Sequence, residues 1–334
     1  MFIPPKMCYT LNKTYTRGDI GFNQTVRILE EVKKAVCGKD RVLVWVLTVL
    51  LARGHVLLED IPGVGKTTMA LAFSRALGLD YGRVQFTPDV LPSDITGYSV
   101  YQKETGRLIY QPGAVLCNLF LADELNRATS RTQSALLEAM EERHVSVDGK
   151  TYPLPTPFVV LATQNPTGSA GTTMLPNSQL DRFLIKISMG YPDLKSQISI
   201  LQDRHTTDPL TKAQPVINNE QLQELIAQTT AVHVAEPIYA YIANLAQATR
   251  EHAAVQLGVS PRGALAVCRM AKAYAFVNGR DYVVPEDVAA IFPDVAAHRL
   301  MLNAKARMME LDAGQITQEI LKQVAMPTVK TGGK

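Results

Sequence analysis

The stretch LLEDIPGVGKTTMALAFSRALG (residues 57–78) carries side chains that can cradle a phosphate group. Gly63, Gly65, Lys66 and Thr67 stand in the register of the pattern G-x-x-x-x-G-K-[ST]. In that pattern the glycines let backbone N–H groups curl around an anion, the lysine reaches the β- and γ-phosphates, and the hydroxyl binds Mg²⁺. A short apolar strand precedes the turn and a helix follows it, which places an anion at a helix N-terminus. We therefore favour a phosphate cradle over a plain strand-to-helix turn with an exposed lysine.

Further along the chain, two predicted apolar strands each end in polar residues. The run NLFLADE brings Asp123 and Glu124 to the carboxyl end of a strand, where open α/β sheets place their ligands. Asp123 would hold Mg²⁺ through water, and Glu124 would orient and polarise an attacking water. A solvated strand end is the alternative for this pair alone, but the phosphate turn upstream makes a nucleotide site the better interpretation. In FVVLATQNP, Asn165 would position the same water from the other side, or would form an Asx turn before Pro166.

The elements around these residues predict a layered α/β core followed by helices. Apolar runs that predict strands occur at 84–86, 118–123, 158–163 and 184–189, with helical stretches such as 131–143 between them. This alternation predicts a parallel sheet covered on both faces. Two hairpins, turning near Gly106 and at Asp148-Gly149, interrupt the order. Beyond residue 194 the chain has amphipathic helical periods at 220–229, 237–252, 261–278 and 285–298.

Length and composition place few limits on function but favour a globular, two-domain chain of 334 residues. We predict a flexible N-terminus at 1–19, a core with two hairpin insertions at 20–193, a helical domain at 194–325 and a flexible tail at 326–334. The net charge of +3 is too small to indicate nucleic acid or an anionic membrane. The cysteines form no C-x-x-C pair, and the most apolar run, at 42–52, is shorter than the about 20 residues a membrane span needs. These features predict a cytoplasmic protein with reduced thiols and no membrane span.

The wording of several motifs resembles the MoxR family of AAA+ ATPases. They are GHVLLEDIPGVGKT, QFTPDVLPSDITG, LADELNRATSRTQSALLEAMEERHVSVDGKTYPLPTPFVVLATQNP and LPNSQLDRFLIKISMGYPD, and the resemblance runs from about residue 20 to 325. It implies an α/β fold: a P-loop NTPase αβα sandwich with a parallel sheet, the AAA+ core, followed by a small all-helical lid domain. It also implies a homo-oligomeric ring, usually a hexamer, that hydrolyses ATP with Mg²⁺. The activity it implies is chaperone-like remodelling of protein complexes, commonly with a partner that has a von Willebrand factor A domain.

The resemblance also implies roles for individual residues. The implied ATP contacts of the glycine-rich turn are Asp60, Pro62, Gly63, Val64, Gly65, Lys66, Thr67 and Thr68. Asp60 stands in the place of the first glycine of the general pattern, which is common in this family. Thr67 and Asp123 are the implied metal residues, Glu124 the implied base and Asn165 the implied sensor 1.

Two arginines also resemble functional residues of the family, and one segment departs from the family pattern. Arg182 in LDRF resembles the arginine finger, and Arg262 in GVSPRG resembles sensor 2, which acts within one subunit or across a subunit boundary. Without the resemblance, either arginine could equally form an ion pair at the protein surface. Arg127 in LNRAT is a further arginine that could face a neighbouring subunit. Asn177 follows Leu-Pro at a position where relatives usually have glutamate, and the segment before it lacks the acidic residues that relatives usually carry there. We therefore predict that this altered segment changes subunit coupling or partner choice.

Two other functions stay open at the level of sequence. One is a nucleic-acid motor, because related AAA+ cores with such insertions include helicases, but that function expects basic, aromatic-studded loops. The hairpin turns instead carry a mixed set of charges: Lys103, Glu104, Arg107, Asp148 and Lys150. The other is a nucleotide-gated scaffold in which slow hydrolysis acts as a timer. Tyrosines on the first hairpin could contact a substrate in a ring pore, although alternating aromatics more often pack together; they are Tyr98, Tyr101 and Tyr110.

Overall fold

The computed structural model describes residues 17–165, 175–203, 210 and 213–328. Most of the segment predicted to be a flexible N-terminus, and residues 329–334 of the predicted tail, lie outside these ranges. The strands, in chain order, are β1 (Val56–Glu59), β2 (Tyr81–Gln85), β3 (Gly97–Gln102), β4 (Arg107–Pro112), β5 (Leu119–Asp123), β6 (His144–Val147), β7 (Lys150–Pro153), β8 (Val159–Gln164), β9 (Ile185–Ile187), β10 (Val255–Leu257) and β11 (Met301–Leu302).

Helices occupy most of the remaining described chain. They are α1 (Arg17–Lys33), α2 (Asp40–Leu51), α3 (Lys66–Ala76), α4 (Pro92–Thr96), α5 (Ser130–Glu142), α6 (Asn177–Leu180), α7 (Leu194–Asp203), α8 (Asn219–Ala231), α9 (Glu236–Glu251), α10 (Pro261–Val277), α11 (Pro285–Ala296), α12 (Ala304–Met308) and α13 (Ala313–Gln323). Single 3-10 turns lie at Leu125–Arg127 and Ala297–Arg299. None of the helices in the described ranges is both long and apolar enough to cross a membrane.

The predicted parallel sheet has five strands in the order β2-β5-β8-β1-β9, and all four strand pairings are parallel. Because the strands are parallel, their carboxyl ends meet at one edge of the sheet. The register places Glu59 opposite Gln164, and Gln85 opposite Asp123. The residues that the sequence analysis singled out at strand ends are thereby gathered at one edge.

Alternate residues of the central strands enter two hydrophobic cores, as the two-residue period of a strand requires. Leu119, Leu121 and Leu161 pack with α1, α2, α3 and the C-terminal helices, whereas Phe120 and Val160 pack on the other face with α4 and α5. The first core is continuous from the sheet into the C-terminal helices. The sheet is therefore a rigid frame for the polar groups at its edge.

Both predicted hairpins are present, as β3–β4 and β6–β7. Tyr110 of the first stacks on Tyr152 of the second, with ring centroids 3.8 Å apart, so this tyrosine packs as predicted for a hairpin aromatic. Tyr98 and Tyr101 remain exposed.

The C-terminal region is helical, with one exception to the prediction of an all-helical lid. β10 and β11 pair antiparallel across the ends of α9 and the 3-10 turn at Ala297–Arg299. Strands of three and two residues carry too little alternation to be recognised in a sequence, because a half-buried strand is identified by its period over at least four residues. Helix α10 begins and ends within one residue of its prediction.

Candidate active site

A cavity of about 340 Å³ opens at the carboxyl edge of the sheet. It is lined by Asp60, Pro62, Gly63, Gly65, Lys66, Thr67, Thr68, Arg83, Gln85, Asp123, Glu124, Thr163, Gln164 and Asn165. The fold therefore brings the glycine turn, the Asp-Glu pair and Asn165 to one place, as the sequence predicts. The lining is rich in polar and charged groups, which suits a ligand that is itself charged.

The glycine turn has the backbone conformation that a phosphate cradle requires. Gly63 and Gly65 have φ values of +83° and +97°, which only glycine adopts without strain. A Cβ atom built at either glycine meets nothing within 4 Å, so both face open space. Helix α3 begins at Lys66, directly after Gly65, and its N-terminal N–H groups and dipole favour an anion there. The turn fits a nucleotide phosphate. Pro62 and Thr68 also line the cavity, whereas the Val64 side chain packs against the hydrophobic core.

Lys66 is held beside the turn by backbone carbonyl groups. Its ammonium donates to the carbonyl oxygens of Asp60 and Ile61 at 3.1 and 3.3 Å. Burial lowers the pKa of this lysine, and the nearby carboxylates, Asp123 first, act in the opposite direction. A phosphate group would replace neutral carbonyl acceptors with charged ones, which form stronger hydrogen bonds.

The carboxylate of Asp60 is bound by the segment that follows β9. It accepts hydrogen bonds from the Ser188 hydroxyl and from the backbone N–H groups of Met189 and Gly190. The side chain is buried, at 5% exposure. Asp60 is thus predicted to contact ATP but has a carboxylate that is engaged with another part of the fold.

Asp123 is fixed at the end of β5 by two partners. Thr163 donates its hydroxyl to Asp123 Oδ1 at 2.8 Å, and Arg83 donates to Asp123 Oδ2 at 2.8 Å. Because Thr163 is fully buried on the neighbouring strand β8, it holds the carboxylate in one orientation. A carboxylate beside the Thr67 hydroxyl is the donor set that Mg²⁺ prefers.

Glu124 stands in the left-handed backbone region, with φ of +56° and ψ of +45°. This conformation is uncommon outside glycine and is often found where a side chain must be aimed at a functional site. The Thr163 hydroxyl accepts the Glu124 N–H at 2.8 Å, and Arg127 forms an ion pair with Glu124 Oε2 at 2.7 Å. Glu124 lines the cavity, and Arg127 engages one oxygen of its carboxylate.

Asn165 is positioned through its backbone by Asn126, a buried residue from the turn after β5. The Asn126 amide donates to the Asn165 carbonyl at 3.3 Å and accepts the Asn165 N–H at 3.4 Å. This pair ties the end of β8 to the loop that carries Glu124. The position of Asn165 is therefore coupled to the position of Glu124, the predicted base.

Arg182 and Arg262 meet outside the cavity lining. Arg182 contacts Glu141 Oε2 at 3.2 Å, and Arg262 contacts Glu141 Oε1 at 2.8 Å. Glu141 lies in the last turn of α5, and the side chains of both arginines are partly exposed. The residues described as lining the cavity include neither arginine. The structure thus brings the two arginines together, at a place separate from the phosphate turn of the same chain.

No motif in the sequence points to Arg83, Asn126, Glu141 or Arg299, which together with Thr163 complete this arrangement. Arg299 is buried, donates to Asp181 Oδ1 at 2.7 Å and to the Phe183 carbonyl at 2.7 Å, and so holds the backbone on both sides of Arg182. Only Thr163 can be noticed in the sequence, because it is a polar residue near the end of an apolar strand. The other four act through partners distant in the sequence.

Comparison with known proteins assigns the family. Residues 55–185 match the model described as ATPase family associated with various cellular activities (AAA), and residues 247–324 match the AAA lid domain. The protein YeaC of Bacillus subtilis (strain 168) is 45% identical over 91% of this chain and 95% of its own length. Chaperone MoxR1 of Mycobacterium tuberculosis is 40% identical over 91% of this chain and 82% of its own length. This chain belongs to the MoxR family of AAA+ ATPases.

A solved structure agrees with this assignment at the level of the whole fold. The crystal structure of a protein from Cytophaga hutchinsonii superimposes with a TM-score of 0.87 at 36% identity, covering 93% of this chain and 97% of that one. The MoxR-family fold, a P-loop AAA+ core followed by a lid, is therefore confirmed. Asn177 begins α6, but residues 166–174 of the altered segment before it lie outside the described ranges, so its effect stays a prediction.

Proposed function

We propose that this MoxR-family protein hydrolyses ATP and uses hydrolysis to remodel protein complexes. The observation that carries the proposal is the arrangement of Lys66, Asp123 and Glu124 around one cavity at the N-terminus of α3. A phosphate turn alone would support binding. A carboxylate aimed by a left-handed backbone beside that turn also supports attack by water.

Each group in the cavity has a role in this proposal. The backbone N–H groups of the turn and Lys66 bind the β- and γ-phosphates. Thr67 and Asp123 would hold Mg²⁺, which neutralises charge on the phosphate oxygens during transfer. Glu124 orients the attacking water once Arg127 leaves its carboxylate, and Asn165 contacts the water from a second side.

The two arginines support a ring in which a neighbouring subunit completes each cavity. Arg182 and Arg262 carry two positive charges against the single negative charge of Glu141, on a partly exposed surface. In a closed ring with head-to-tail interfaces, such a surface meets the cavity of the next subunit. We assign Arg182 as the arginine finger and Arg262 as sensor 2, both acting in trans, and a hexamer as the ring.

The first hairpin supports a protein rather than a nucleic acid as the client. It exposes five large apolar side chains beside the polar residues of its turn: Tyr98, Val100, Tyr101, Leu108 and Ile109. An exposed apolar patch suits contact with protein, whereas a nucleic-acid groove expects basic residues between aromatic ones. A partner with a von Willebrand factor A domain remains part of the proposal and follows from the family alone.

The decisive experiment uses the purified chain with ATP and Mg²⁺ and the variant Glu124→Gln. The amide keeps the shape of the side chain but cannot act as a carboxylate base toward water. We expect turnover to fall by about 100-fold or more, in line with loss of a general base, while ATP stays bound unhydrolysed. Glu138→Gln, an exposed change on α5, is the matched control and should keep wild-type turnover.

The result also separates the competing functions. Near-normal turnover in Glu124→Gln would assign the base elsewhere, and no turnover in the wild type with any protein partner would favour a scaffold. Stimulation by single-stranded DNA with a steep dependence on salt would favour a nucleic-acid motor. Capture of proteins on the Glu124→Gln trap, read by mass spectrometry, would then identify the client.

A further inference from the structure

Two buried charged side chains hold the segment that connects the sheet to the C-terminal helices. This connection (residues 188–193) runs from the end of β9 to the start of α7. Asp60 accepts hydrogen bonds from the Ser188 hydroxyl at 2.8 Å, from the Gly190 N–H at 3.0 Å and from the Met189 N–H. Its carboxylate therefore binds three hydrogen-bond donors of the connection.

Lys39 binds the acceptors of the same segment. Its ammonium donates to the carbonyl oxygens of Met189, Gly190 and Tyr191 at 2.7, 2.9 and 2.7 Å. Lys39 is only 8% exposed and directly precedes α2, while Asp60 directly follows β1. Hydrogen bonds with one ionised partner are about twice as strong as neutral ones. The connection is thus fixed from two sides by two elements of the core.

The connection would otherwise be free to bend at this point. Gly190 has φ of +60°, a left-handed conformation, and a Cβ atom built there meets nothing within 4 Å. A glycine in open space is a position where the backbone has several accessible conformations. The six hydrogen bonds select one of them.

Asp60 also contacts the phosphate turn through its backbone. Its carbonyl oxygen accepts from Lys66 at 3.1 Å, while its carboxylate holds the connection. One residue therefore contacts both the lysine of the turn and the only covalent path from the sheet to the lid. Departure of Lys66 toward a phosphate changes the contacts of the residue that fixes that path.

We propose that Asp60 and Lys39 form a clamp on residues 188–191, and that Asp60 is a positioning residue that couples the phosphate turn to the lid. The proposal rests on the proposed function for its effect on turnover, but its effect on the lid does not depend on hydrolysis. The carboxylate acts through the connection and not by contact with ATP. Removal of the clamp leaves the cradle intact and uncouples the lid from the phosphate turn.

Asp60→Asn is the sharpest test, because Asp60 Oδ1 and Oδ2 bind different donors. An asparagine oxygen replaces Oδ1, which serves Ser188 and Gly190, but its NH₂ group then faces the Met189 N–H, and two donors oppose each other. Lys39→Met keeps the length of the side chain and removes the three donated hydrogen bonds. Asp312→Asn is the matched control, because Asp312 lies outside the connection and accepts the Gln315 N–H at the start of α13, and asparagine caps a helix as well as aspartate.

The measurement is hydrogen exchange of the full-length protein, without nucleotide and with saturating ATP or an unhydrolysable analogue. In Asp60→Asn, we expect the Met189 and Gly190 amides to exchange about tenfold faster, as for loss of about one charge-assisted hydrogen bond. We expect the change in lid protection on nucleotide binding, followed in α10, to be lost. ATP affinity should stay within about threefold, because the cradle is unchanged, and kcat should fall about tenfold. Ser188→Ala, which removes one donor, should show the same pattern with a smaller change.

Several outcomes decide the matter. If α10 responds to nucleotide in Asp60→Asn, Lys39→Met and Ser188→Ala as in the wild type, the clamp does not couple turn and lid, even if Glu124→Gln confirms hydrolysis. If Asp60→Asn loses ATP affinity to the extent that Lys66→Ala does, Asp60 contacts the nucleotide and the proposal is wrong. A wild type without turnover overturns the proposed function alone, because the response of α10 still tests the clamp. The kcat effects of Asp60→Asn and Lys39→Met should combine less than multiplicatively, since both act on one segment.

Discussion

The cavity and the Glu141 surface present their charges in different ways. In the cavity, Asp123 is paired with Arg83 and Glu124 with Arg127, so carboxylates and guanidinium groups of one chain balance one another. On the Glu141 surface, two arginines share a single carboxylate. The first arrangement is internally balanced, and the second carries a surplus of positive charge.

This difference indicates where each region finds its ligand. The glycine turn and the carboxylates can bind a nucleotide and a cation with groups of their own chain. A surplus of guanidinium groups on a partly exposed surface needs an anion, and the polyphosphate in a neighbouring cavity supplies one. In the proposed ring, each cavity would therefore bind nucleotide with groups of its own chain, and the arginine surface would contribute to the cavity of a neighbouring chain.

The largest effect is expected inside the cavity, from Lys66→Ala. Loss of a charge-assisted hydrogen bond costs about 1.5–3 kcal/mol, so ATP affinity should fall by about 10- to 150-fold, and turnover should fall to background. Binding of a fluorescent ATP analogue measures this directly. Lys150→Ala, at the exposed turn of the second hairpin, is the control and should bind as the wild type does. Unchanged affinity in Lys66→Ala would refute the phosphate cradle.

Arg182→Ala should bind ATP normally and hydrolyse it about a thousandfold more slowly, because arginine fingers contribute about 10³–10⁵ in rate. If the arginine surface acts on the cavity of a neighbouring subunit, mixing two inactive variants should restore part of the ATPase activity. When Arg182→Ala and Lys66→Ala subunits are combined after dissociation, some interfaces pair an intact cradle with an intact finger. Activity of the mixture should therefore exceed the sum of the separate variants. If mixed oligomers form without any gain, Arg182 does not act in trans.

The sequence allows the cavity to be predicted in much more detail than the arginine surface. The glycine turn, the Asp-Glu strand end and Asn165 are each recognised from a few neighbouring residues. They converge because parallel strands end at the same edge of the sheet, which is a property of the fold class. Local pattern and topology together were sufficient for these residues.

The remaining contacts depend on pairs of residues far apart in the chain. Glu141 lies on a helix face without any motif, and its meeting with Arg182 and Arg262 depends on how the lid packs on the core. The side chain of Asp60 gives a further example, because its position in the pattern predicts contact with ATP and its carboxylate instead binds residues 188–190. Periodicity and spacing carry no information about such partners.

A smaller effect is expected from Arg262→Ala. Loss of about one hydrogen bond from sensor 2 to phosphate corresponds to about a tenfold decrease in turnover. Because α10 begins at Pro261, this variant should also reduce the response of lid protection to ATP in hydrogen exchange. Arg307→Ala, an exposed change on lid helix α12, is the control. An identical response of the lid in Arg262→Ala and wild type would remove Arg262 from the nucleotide site.

The smallest effect is expected from Glu141→Gln, which tests whether the shared carboxylate holds the two arginines ready for a neighbour. Exposed ion pairs contribute about 0.2–1 kcal/mol each, so kcat should fall only about threefold, with the KM for ATP unchanged. The reason is that the guanidinium groups of Arg182 and Arg262 lose their common partner and sample more orientations before they meet phosphate. Glu142→Gln, the next residue on α5, is the matched control. In the Arg182→Ala background, Glu141→Gln should cause a smaller further loss, because only Arg262 is then left for the carboxylate to orient. An equal threefold loss in both backgrounds would mean that Glu141 acts on the fold and not on the finger.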